Sequence, residues 1–262
     1  MNNKLRVIVF TQQDGFFIPA NIIKASKICE IIEVVDNHAK SSLDNKISDM
    51  VSWFGFFQCA VMGVKTYFRK LQNIADKLSG LNIYGGTCSI QAAAQKIGAD
   101  FKVISDVNDL SYVEHVRALK PDLIISYSAP QIIKPTLLDV PTHGILNVHG
   151  ALLPNYRGCL PSFWYLYNDE KLGGATVHYM SAGIDDGDIC VQKSVDISDC
   201  KTMFRLMRKT KLVGGEAMVE AIKRVTNSTL TPQKNNTESG SYFTWPTVEQ
   251  AKEFRKKGYR LV

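Results

Sequence analysis

The chain has 262 residues, a formal net charge of +6, 45% hydrophobic residues and 21% charged residues. These values are typical of a globular protein and exclude a disordered, collagen-like or low-complexity chain. A chain of this length can form one large domain, or one domain with a small appendage.

The first half of the sequence predicts alternating strands and helices. Short apolar runs rich in β-branched residues predict strands, and the amphipathic runs between them predict helices. This alternation is typical of an open, mostly parallel α/β sheet, in which ligands bind beyond the carboxyl ends of the strands. The predicted strands are 5–10, 31–36, 101–105, 123–126 and 145–148, and the predicted helices are 20–30, 89–97 and 109–119.

A long helical stretch at about 42–78 interrupts this alternation and contains the longest uncharged run, 50–64. Fifteen uncharged residues are fewer than the ~20 that a membrane-spanning helix needs, so we predict no membrane span. A buried or lid-like helix is favoured over contact of its aromatic residues with a membrane surface. The N-terminal apolar run, 5–10, is too short for a signal peptide.

The six cysteines are irregularly spaced and include no Cys-x-x-Cys pair. This usage disfavours a disulfide framework and a structural zinc site, and it predicts a cytoplasmic protein. No two histidines have the spacing of zinc ligands, and the carboxylates of 185–188 are too few for a calcium loop, so we predict no metal. No Gly-x-Gly-x-x-Gly follows the first strand, which disfavours a dinucleotide cofactor.

The second half predicts an ordered loop at 150–160, then a helix at 161–167. Strands at 175–180 and 189–195 flank an acidic loop, and a long helix follows at 202–225. The polar segment 226–240 indicates a boundary, and Thr247 is a plausible N-cap for a basic C-terminal helix.

Positive charge is concentrated in the last quarter of the chain. Residues 201–262 contain 13 basic and 5 acidic residues, a local +8, whereas the remainder has 18 basic and 20 acidic residues, or −2. RNA, a membrane surface or a phosphorylated small molecule would suit such a surface, and so would a simple solvated helix face.

Asn147 and His149 stand at the end of the fifth predicted strand. Because side chains alternate along a strand, both point to the same side of the sheet. An amide and an imidazole there suit a developing oxyanion, and histidine can also carry a proton. Alternatively, loop carbonyls simply satisfy the two side chains.

Asp185 lies on the loop between the two later strands and can reach the same end of the sheet. Facing His149, it would raise the pKa of that histidine and help to move a proton. Arg157, in a loop rich in Pro and Gly, would either tie the loop down through carbonyl groups or bind an anionic substrate.

Three motifs in order resemble the folate-dependent formyltransferases over about residues 5–225. They are Asn147-x-His149, then Leu152-Leu153-Pro154-x-Tyr156-Arg157-Gly158, then His178-x6-Asp185-x-Gly187-x-Ile189. The resemblance implies a Rossmann-like sheet flanked by helices, 10-formyltetrahydrofolate as the formyl donor and a primary amine as the acceptor. It also implies a catalytic triad, in which Asn147 and His149 stabilise the oxyanion, and Asp185 orients water and assists removal of the amine proton.

The resemblance further divides the chain into a formyltransferase catalytic domain at 1–225 and a short strand and helix extension at 226–262. It implies a pterin pocket with Tyr127, Ser128, Ala129, Gln131, Ile132 and Ile133 on one segment and Ala182, Ile184 and Asp186 on another. The acceptor is expected near Gln12, Asp14, Gly15, Arg157 and His178.

The acceptor favoured by the resemblance is an amino sugar of a nucleotide-linked sugar for surface polysaccharide, consistent with the positive charge. Hydroxyornithine and glycinamide ribonucleotide are alternatives. Methionyl-tRNA, and any nucleic acid, is less favoured, because the tRNA enzymes of this family carry a C-terminal β-barrel and only 37 residues follow Val225. A non-catalytic folate-binding module is an alternative of another class, and a homodimer is left open.

Overall fold

Apolar strands and amphipathic helices alternate through the described part of the chain. The structure, a computed structural model, describes residues 4–37, 43–79, 83–85 and 87–262. The helices are α1 (Ile18–Ser26), α2 (Leu43–Phe54), α3 (Phe56–Ser79), α4 (Ile90–Ile97), α5 (Leu110–Leu119), α6 (Pro135–Leu138), α7 (Pro161–Tyr167), α8 (Met203–Thr226) and α9 (Val248–Lys256). The strands are β1 (Arg6–Thr11), β2 (Glu30–Asn37), β3 (Asp100–Ile104), β4 (Leu123–Tyr127), β5 (Ile145–His149), β6 (Arg157–Gly158), β7 (Leu172–Tyr179), β8 (Ile189–Asp196) and β9 (Tyr242–Phe243).

Seven strands form one sheet in the order β3-β2-β1-β4-β5-β7-β8. The first five strands of the chain run parallel, whereas β7 runs antiparallel to β5 and to β8. A short loop without a crossover helix joins β7 to β8, and such a connection permits only antiparallel neighbours. The predicted open, mostly parallel α/β sheet flanked by helices is confirmed.

Helices cover both faces of the sheet, which explains the continuous apolar runs of its central strands. Residues 7–10 of β1 are fully buried, as is typical of a strand that packs on both faces. One face packs against α1, α4 and α8, and the other packs against α5 and α6. Both faces being filled, only the strand ends remain for a ligand.

The predicted helical stretch at 42–78 forms two helices, and its first residue lies outside the described residues. Gly55 separates α2 from α3, with a φ of +81° that favours glycine. Arg69 of α3 donates from Nε to the carbonyl oxygen of Gly15, 2.7 Å away, and Nζ of Lys65 lies 4.9 Å from the ring centroid of Phe204. α3 therefore lies over the loop that follows β1.

The C-terminal residues fold back onto the sheet. β9 pairs in parallel with β6, and α9 begins with a capping box between Thr247 and Gln250. Phe254 of α9 is fully buried and stacks on Phe163 of α7 at 4.6 Å. Because residues 226–262 share this cluster with α7 and α8, the division at residue 225 stays a prediction.

Candidate active site

Polar side chains converge where β5 and β7 lie side by side at the carboxyl end of β5. Asn147 of β5 is paired in register with His178 of β7. The His178 Nδ1 lies 2.8 Å from the carbonyl oxygen of Tyr179 and must donate to it. Nε2, the other ring nitrogen, lies 3.2 Å from the Asn147 amide nitrogen and accepts from it. This hydrogen bond fixes the orientation of the Asn147 amide and uses only one of its two N–H groups.

His149 ends β5 and has each ring nitrogen beside a different oxygen. Nε2 lies 2.7 Å from the carbonyl oxygen of Tyr156, and Nδ1 lies 3.3 Å from Oδ2 of Asp185. A carbonyl oxygen only accepts, so Nε2 carries the proton of the neutral ring. The unprotonated Nδ1 therefore faces the carboxylate.

Asp185 is held from several sides. Its backbone has a φ of +49°, an uncommon conformation for a residue with a side chain. The amide N–H of Gly158 donates to Oδ2 at 3.0 Å, and Nε2 of His178 lies 3.5 Å from Oδ1. The Asn235 amide donates to the Asp185 carbonyl oxygen at 2.9 Å. The carboxylate is thus placed between two histidines.

Burial and neighbouring groups set the charges of this cluster. Burial is the largest influence on His149 and lowers its pKa below 6.5, although Asp185 acts in the opposite direction. The predicted effect of Asp185, which is to raise the pKa of this histidine, is therefore present, but burial outweighs it and the net pKa is lowered. Burial also opposes ionisation of Asp185, but His149, His178 and the Gly158 N–H together outweigh it and lower the pKa of that carboxyl. The site at neutral pH thus holds a neutral His149 beside a carboxylate.

Gly158 allows the close approach that places its N–H at Asp185. Its φ is +92°, and a Cβ there would lie 2.2 Å from the carbonyl oxygen of Phe243. Only glycine fits between β9 and the carboxylate. The neighbouring Arg157 places its guanidinium carbon 5.8 Å from the ring centroid of Tyr242, so its side chain stacks on the C-terminal extension.

The loop after β1 contains three of the predicted acceptor residues, Gln12, Asp14 and Gly15. This loop lies beside the end of β4 and beside α8. Oδ1 of Asp14 accepts from the backbone N–H groups of Phe16 and Phe17, at 2.6 and 2.7 Å. This carboxylate therefore caps the approach to α1. Gly15 binds Arg69 through its carbonyl oxygen, and Gln12 is exposed.

Lys211 of α8 was not singled out from the sequence, and it lies at this end of the sheet. Its Nζ donates to Oγ of Ser128, a residue of the predicted pterin segment. Burial lowers the pKa of Lys211, and Asp14 acts in the opposite direction. Lys211 also acts to lower the pKa of His149. Its Nζ therefore lies at the end of β4, and its charge interacts with Asp14 and with His149.

The predicted pterin segment after β4 has both core and surface residues. Tyr127 and Ile133 are fully buried, and Ala129 packs against the same core as Ile133. Ile132, by contrast, is 56% exposed. The segment thus offers one apolar side chain to solvent, whereas Ile133 and Ala129 pack in one core cluster and Tyr127 packs in another.

Gln131 ties this segment to the end of β3 rather than pointing freely outward. Its amide nitrogen donates to the Ser105 carbonyl oxygen, and its amide oxygen accepts from Val107 N–H at 3.0 Å. The side chain therefore fixes the loop through backbone groups.

The second predicted pterin segment is the loop between β7 and β8. Ala182 is exposed and Ile184 is 43% exposed. Asp186 accepts from the Ser181 hydroxyl, which closes a turn beside Asp185. Asn235, which sequence reasoning missed in the polar segment 226–240, also donates to the Gly187 carbonyl oxygen at 3.3 Å.

The described residues form neither a metal-binding cluster nor a membrane-spanning helix. No group of three or more His, Cys, Asp or Glu side chains in residues 4–37, 43–79, 83–85 and 87–262 has a geometry that could hold a metal ion. Over the same ranges, none of the helices combines the length and hydropathy needed to cross a bilayer.

A protein-family model described as formyl transferase matches residues 93–222, which include β5, β7, β8 and most of α8. The methionyl-tRNA formyltransferase of Acetivibrio thermocellus is 39% identical over 126 residues, 48% of this chain and 40% of that protein. The chain spans less than half of the length of this relative.

Solved structures of such enzymes share the fold. Glycinamide ribonucleotide transformylase 1 from Symbiobacterium toebii has a TM-score of 0.63 at 18% identity, covering 90% of this chain and 96% of that one. An N-formyltransferase from Helicobacter canadensis, in complex with folinic acid and dTDP-3-aminofucose, has a TM-score of 0.61 at 19% identity, covering 95% and 79%. Residues 93–222 are therefore similar to the formyl transferases, and the chain shares the fold of these solved structures.

Proposed function

We propose that the protein transfers a formyl group from 10-formyltetrahydrofolate to a primary amine of a small anionic acceptor, an amino sugar of a nucleotide-linked sugar. The observation that supports this most is the meeting of Asn147, His149 and Asp185 at the carboxyl end of β5. An amide donor, a neutral imidazole and a carboxylate within hydrogen-bond reach are the groups that amine acylation requires.

The end of β4 fits a folate. Ser126 is paired in register with Asn147, and its buried hydroxyl has no hydrogen-bond partner among the described residues. Ile132 and Ile184 offer exposed apolar surface on the two predicted pterin segments. Apolar walls around a few polar groups suit the flat ring of a pterin. The bound donor supplies an electrophilic formyl carbon.

Asn147 and His149 divide the work of the reaction. The free amide N–H of Asn147 donates to the oxygen on which negative charge develops as the amine attacks. His149 accepts the amine proton at Nδ1, since Nε2 already donates to Tyr156. Oδ2 of Asp185, 3.3 Å away, stabilises the resulting imidazolium. Once protonated, His149 donates that proton from Nδ1 to the folate nitrogen as the bond between this nitrogen and the formyl carbon breaks, so tetrahydrofolate leaves and the acceptor amine keeps the formyl group.

One face of α8 supports an anionic acceptor. Phe204, Arg208 and Lys211 follow one another at helical spacing, and Phe204 packs 5.3 Å from the ring of Phe16 in the loop after β1. A cavity of about 390 Å³ lies along the first turns of α8 and is lined by Phe204, Arg205, Arg208, Lys209 and Leu212. Cations beside an aromatic ring suit a nucleoside phosphate.

The test is a transfer assay with purified protein, 10-formyltetrahydrofolate and single acceptors, read by mass spectrometry of the product. The acceptors are amino-sugar nucleotides, hydroxyornithine and glycinamide ribonucleotide. We expect a mass gain of one formyl group on an amino-sugar nucleotide. The proposed formyl transfer activity would be refuted if no amine yielded a formylated product. Folate binding measured by calorimetry without any transfer would identify a binding module instead.

Methionyl-tRNA is a second candidate acceptor, favoured by the name of the Acetivibrio thermocellus relative and by the net charge of +8 over residues 201–262. Formylation of charged initiator tRNA, with an affinity that falls steeply with salt, would support it. Amino-sugar formylation that competing tRNA does not inhibit would contradict it.

A further inference from the structure

The outward face of α3 carries an apolar stripe. The side chains of this stripe lie at positions a and d of a seven-residue repeat. All of them are exposed, and every large one is at least 40% exposed. The α3 stripe consists of Phe57, Ala60, Val64, Tyr67, Leu71, Ile74 and Leu78.

The opposite face of α3 is the one that packs on the protein. Arg69 donates to Gly15, Lys65 lies over Phe204, and Asn73 accepts from the Ser89 hydroxyl at 3.3 Å. The α3 stripe therefore faces away from the body of the protein. Its large side chains expose on the order of 800 Å² of apolar area, more than the roughly 300–600 Å² of the largest patch on a typical monomer.

The spacing of the α3 stripe indicates what covers it. A strict repeat of seven residues over three heptads matches the knobs-into-holes packing of two helices, and a lipid surface imposes no such register. A second copy of the chain carries the same stripe, and a two-fold axis pairs the two stripes and leaves none exposed. About 800 Å² from each copy gives about 1,600 Å², the size of a stable interface.

We propose that two copies of this chain form a homodimer through a helix pair made by their α3 stripes. This goes beyond the proposed function and does not depend on it. The dimer would brace α3 from outside where Arg69 holds Gly15 from inside, so the interface and the loop after β1 are mechanically connected.

Sedimentation equilibrium of the full chain tests the proposal. We expect a dimer at micromolar concentration. The double substitution Val64→Glu and Leu71→Glu places two charges in each seam, and we expect it to raise the dimer dissociation constant by about 100-fold or more. Ile74→Glu alone is a milder second variant at the same seam.

The matched control is Leu110→Glu, which replaces a leucine that is 72% exposed at the start of α5. It removes a surface leucine without touching the α3 stripe, so the dimer should persist. Circular dichroism confirms that each variant is folded. A monomeric wild type, or a folded Glu variant that dimerises as the wild type does, overturns the proposal. A monomer that floats with vesicles of anionic lipid through the stripe overturns it in favour of a membrane surface.

Discussion

The unprotonated Nδ1 of His149 faces the Asp185 carboxylate at 3.3 Å, so two hydrogen-bond acceptors point at each other. The contact becomes a stabilising hydrogen bond only when Nδ1 of His149 is protonated. The pair is therefore poised to take one proton from a third group, and the carboxylate makes the protonated state more favourable as soon as it forms.

We expect His149→Ala to lower kcat about 100-fold or more with little change in the KM for the acceptor, because the imidazole acts on the transition state. The measurement is steady-state kinetics with whichever acceptor the transfer assay shows to be formylated. His143→Ala is the control, since His143 is exposed in the loop before β5. A His149→Ala enzyme within tenfold of wild-type turnover would contradict the role.

The pH profile of kcat/KM should have an acidic limb with an apparent pKa below 6.5. Burial lowers the pKa of His149, the base form is the neutral ring, and activity is therefore lost only as the pH falls through this lowered value. Asp185→Asn removes the group that raises the pKa of His149, so the limb of the residual rate should move to still lower pH. A limb above 6.5 in the wild type would be inconsistent with a buried, neutral base.

Asn235→Ala should lower kcat about tenfold and the free energy of unfolding by about 1–3 kcal/mol, because the carbonyl oxygens of Asp185 and Gly187 lose their donor. Asn235 is a positioning residue, so the acidic limb of the pH profile should also shift as the carboxylate moves. Asn236→Ala changes an exposed neighbour and should leave the kinetics and the pH profile unaltered. Equal effects from the two variants would count against the assignment.

Lys211→Met should raise the KM for an anionic acceptor by about 10–100-fold, because one charge-assisted contact to the acceptor is lost. The substitution should lower kcat much less. It should also move the acidic limb upward, because Lys211 helps to lower the pKa of His149. Lys223→Met, at an exposed lysine in the last turn of the same helix, is the control. An unchanged KM for every acceptor tested would exclude Lys211 from acceptor binding.

Gly214→Ala should destabilise the protein by about 1–2 kcal/mol despite the better helix propensity of alanine. A Cβ at Gly214 would lie 2.8 Å from Cγ1 of Val148 and 3.2 Å from Cβ of Ala175. Gly63→Ala, where a Cβ on α3 meets nothing within 4 Å, should be neutral or stabilising. Thermal and urea unfolding distinguish the two, and a stabilised Gly214→Ala protein would show that α8 is less tightly packed than described.

Local sequence patterns predicted the parallel sheet because each of its strands is a short apolar run. The apolar run 123–126 and the run 145–148 could only be buried strands, and the predicted helix 161–167 coincides with α7. The alternation of side chains also placed Asn147 and His149 on one side of a strand end. The stretch 42–78 contains two glycines, Gly55 and Gly63, and only Gly55 separates two helices, so its sequence does not by itself locate the break.

Long-range contacts were beyond local patterns. Lys211 is one cation among many on an amphipathic helix, and Asn235 lies in a polar stretch typical of a loop. The two-residue strands β6 and β9 are too short to leave a periodic signal. Only the folded chain brings Asn235 to Asp185 and Lys211 to Ser128, so the net direction of the His149 pKa could not be derived from its neighbours in sequence.

Gly158 and Asn235 both donate to Asp185, and Phe243 lies against Gly158. The ribosome synthesises two of these residues, Asn235 and Phe243, after α8. A nascent chain that has left the ribosome only as far as α8 already contains Asn147, His149, Asp185 and Gly158, but it lacks Asn235, which donates to the Asp185 carbonyl oxygen, and Phe243, which lies against Gly158. The contacts around Asp185 are therefore completed only after residue 243 has emerged, and a translation product that ends at α8 would keep Asp185 while lacking the hydrogen bond from Asn235.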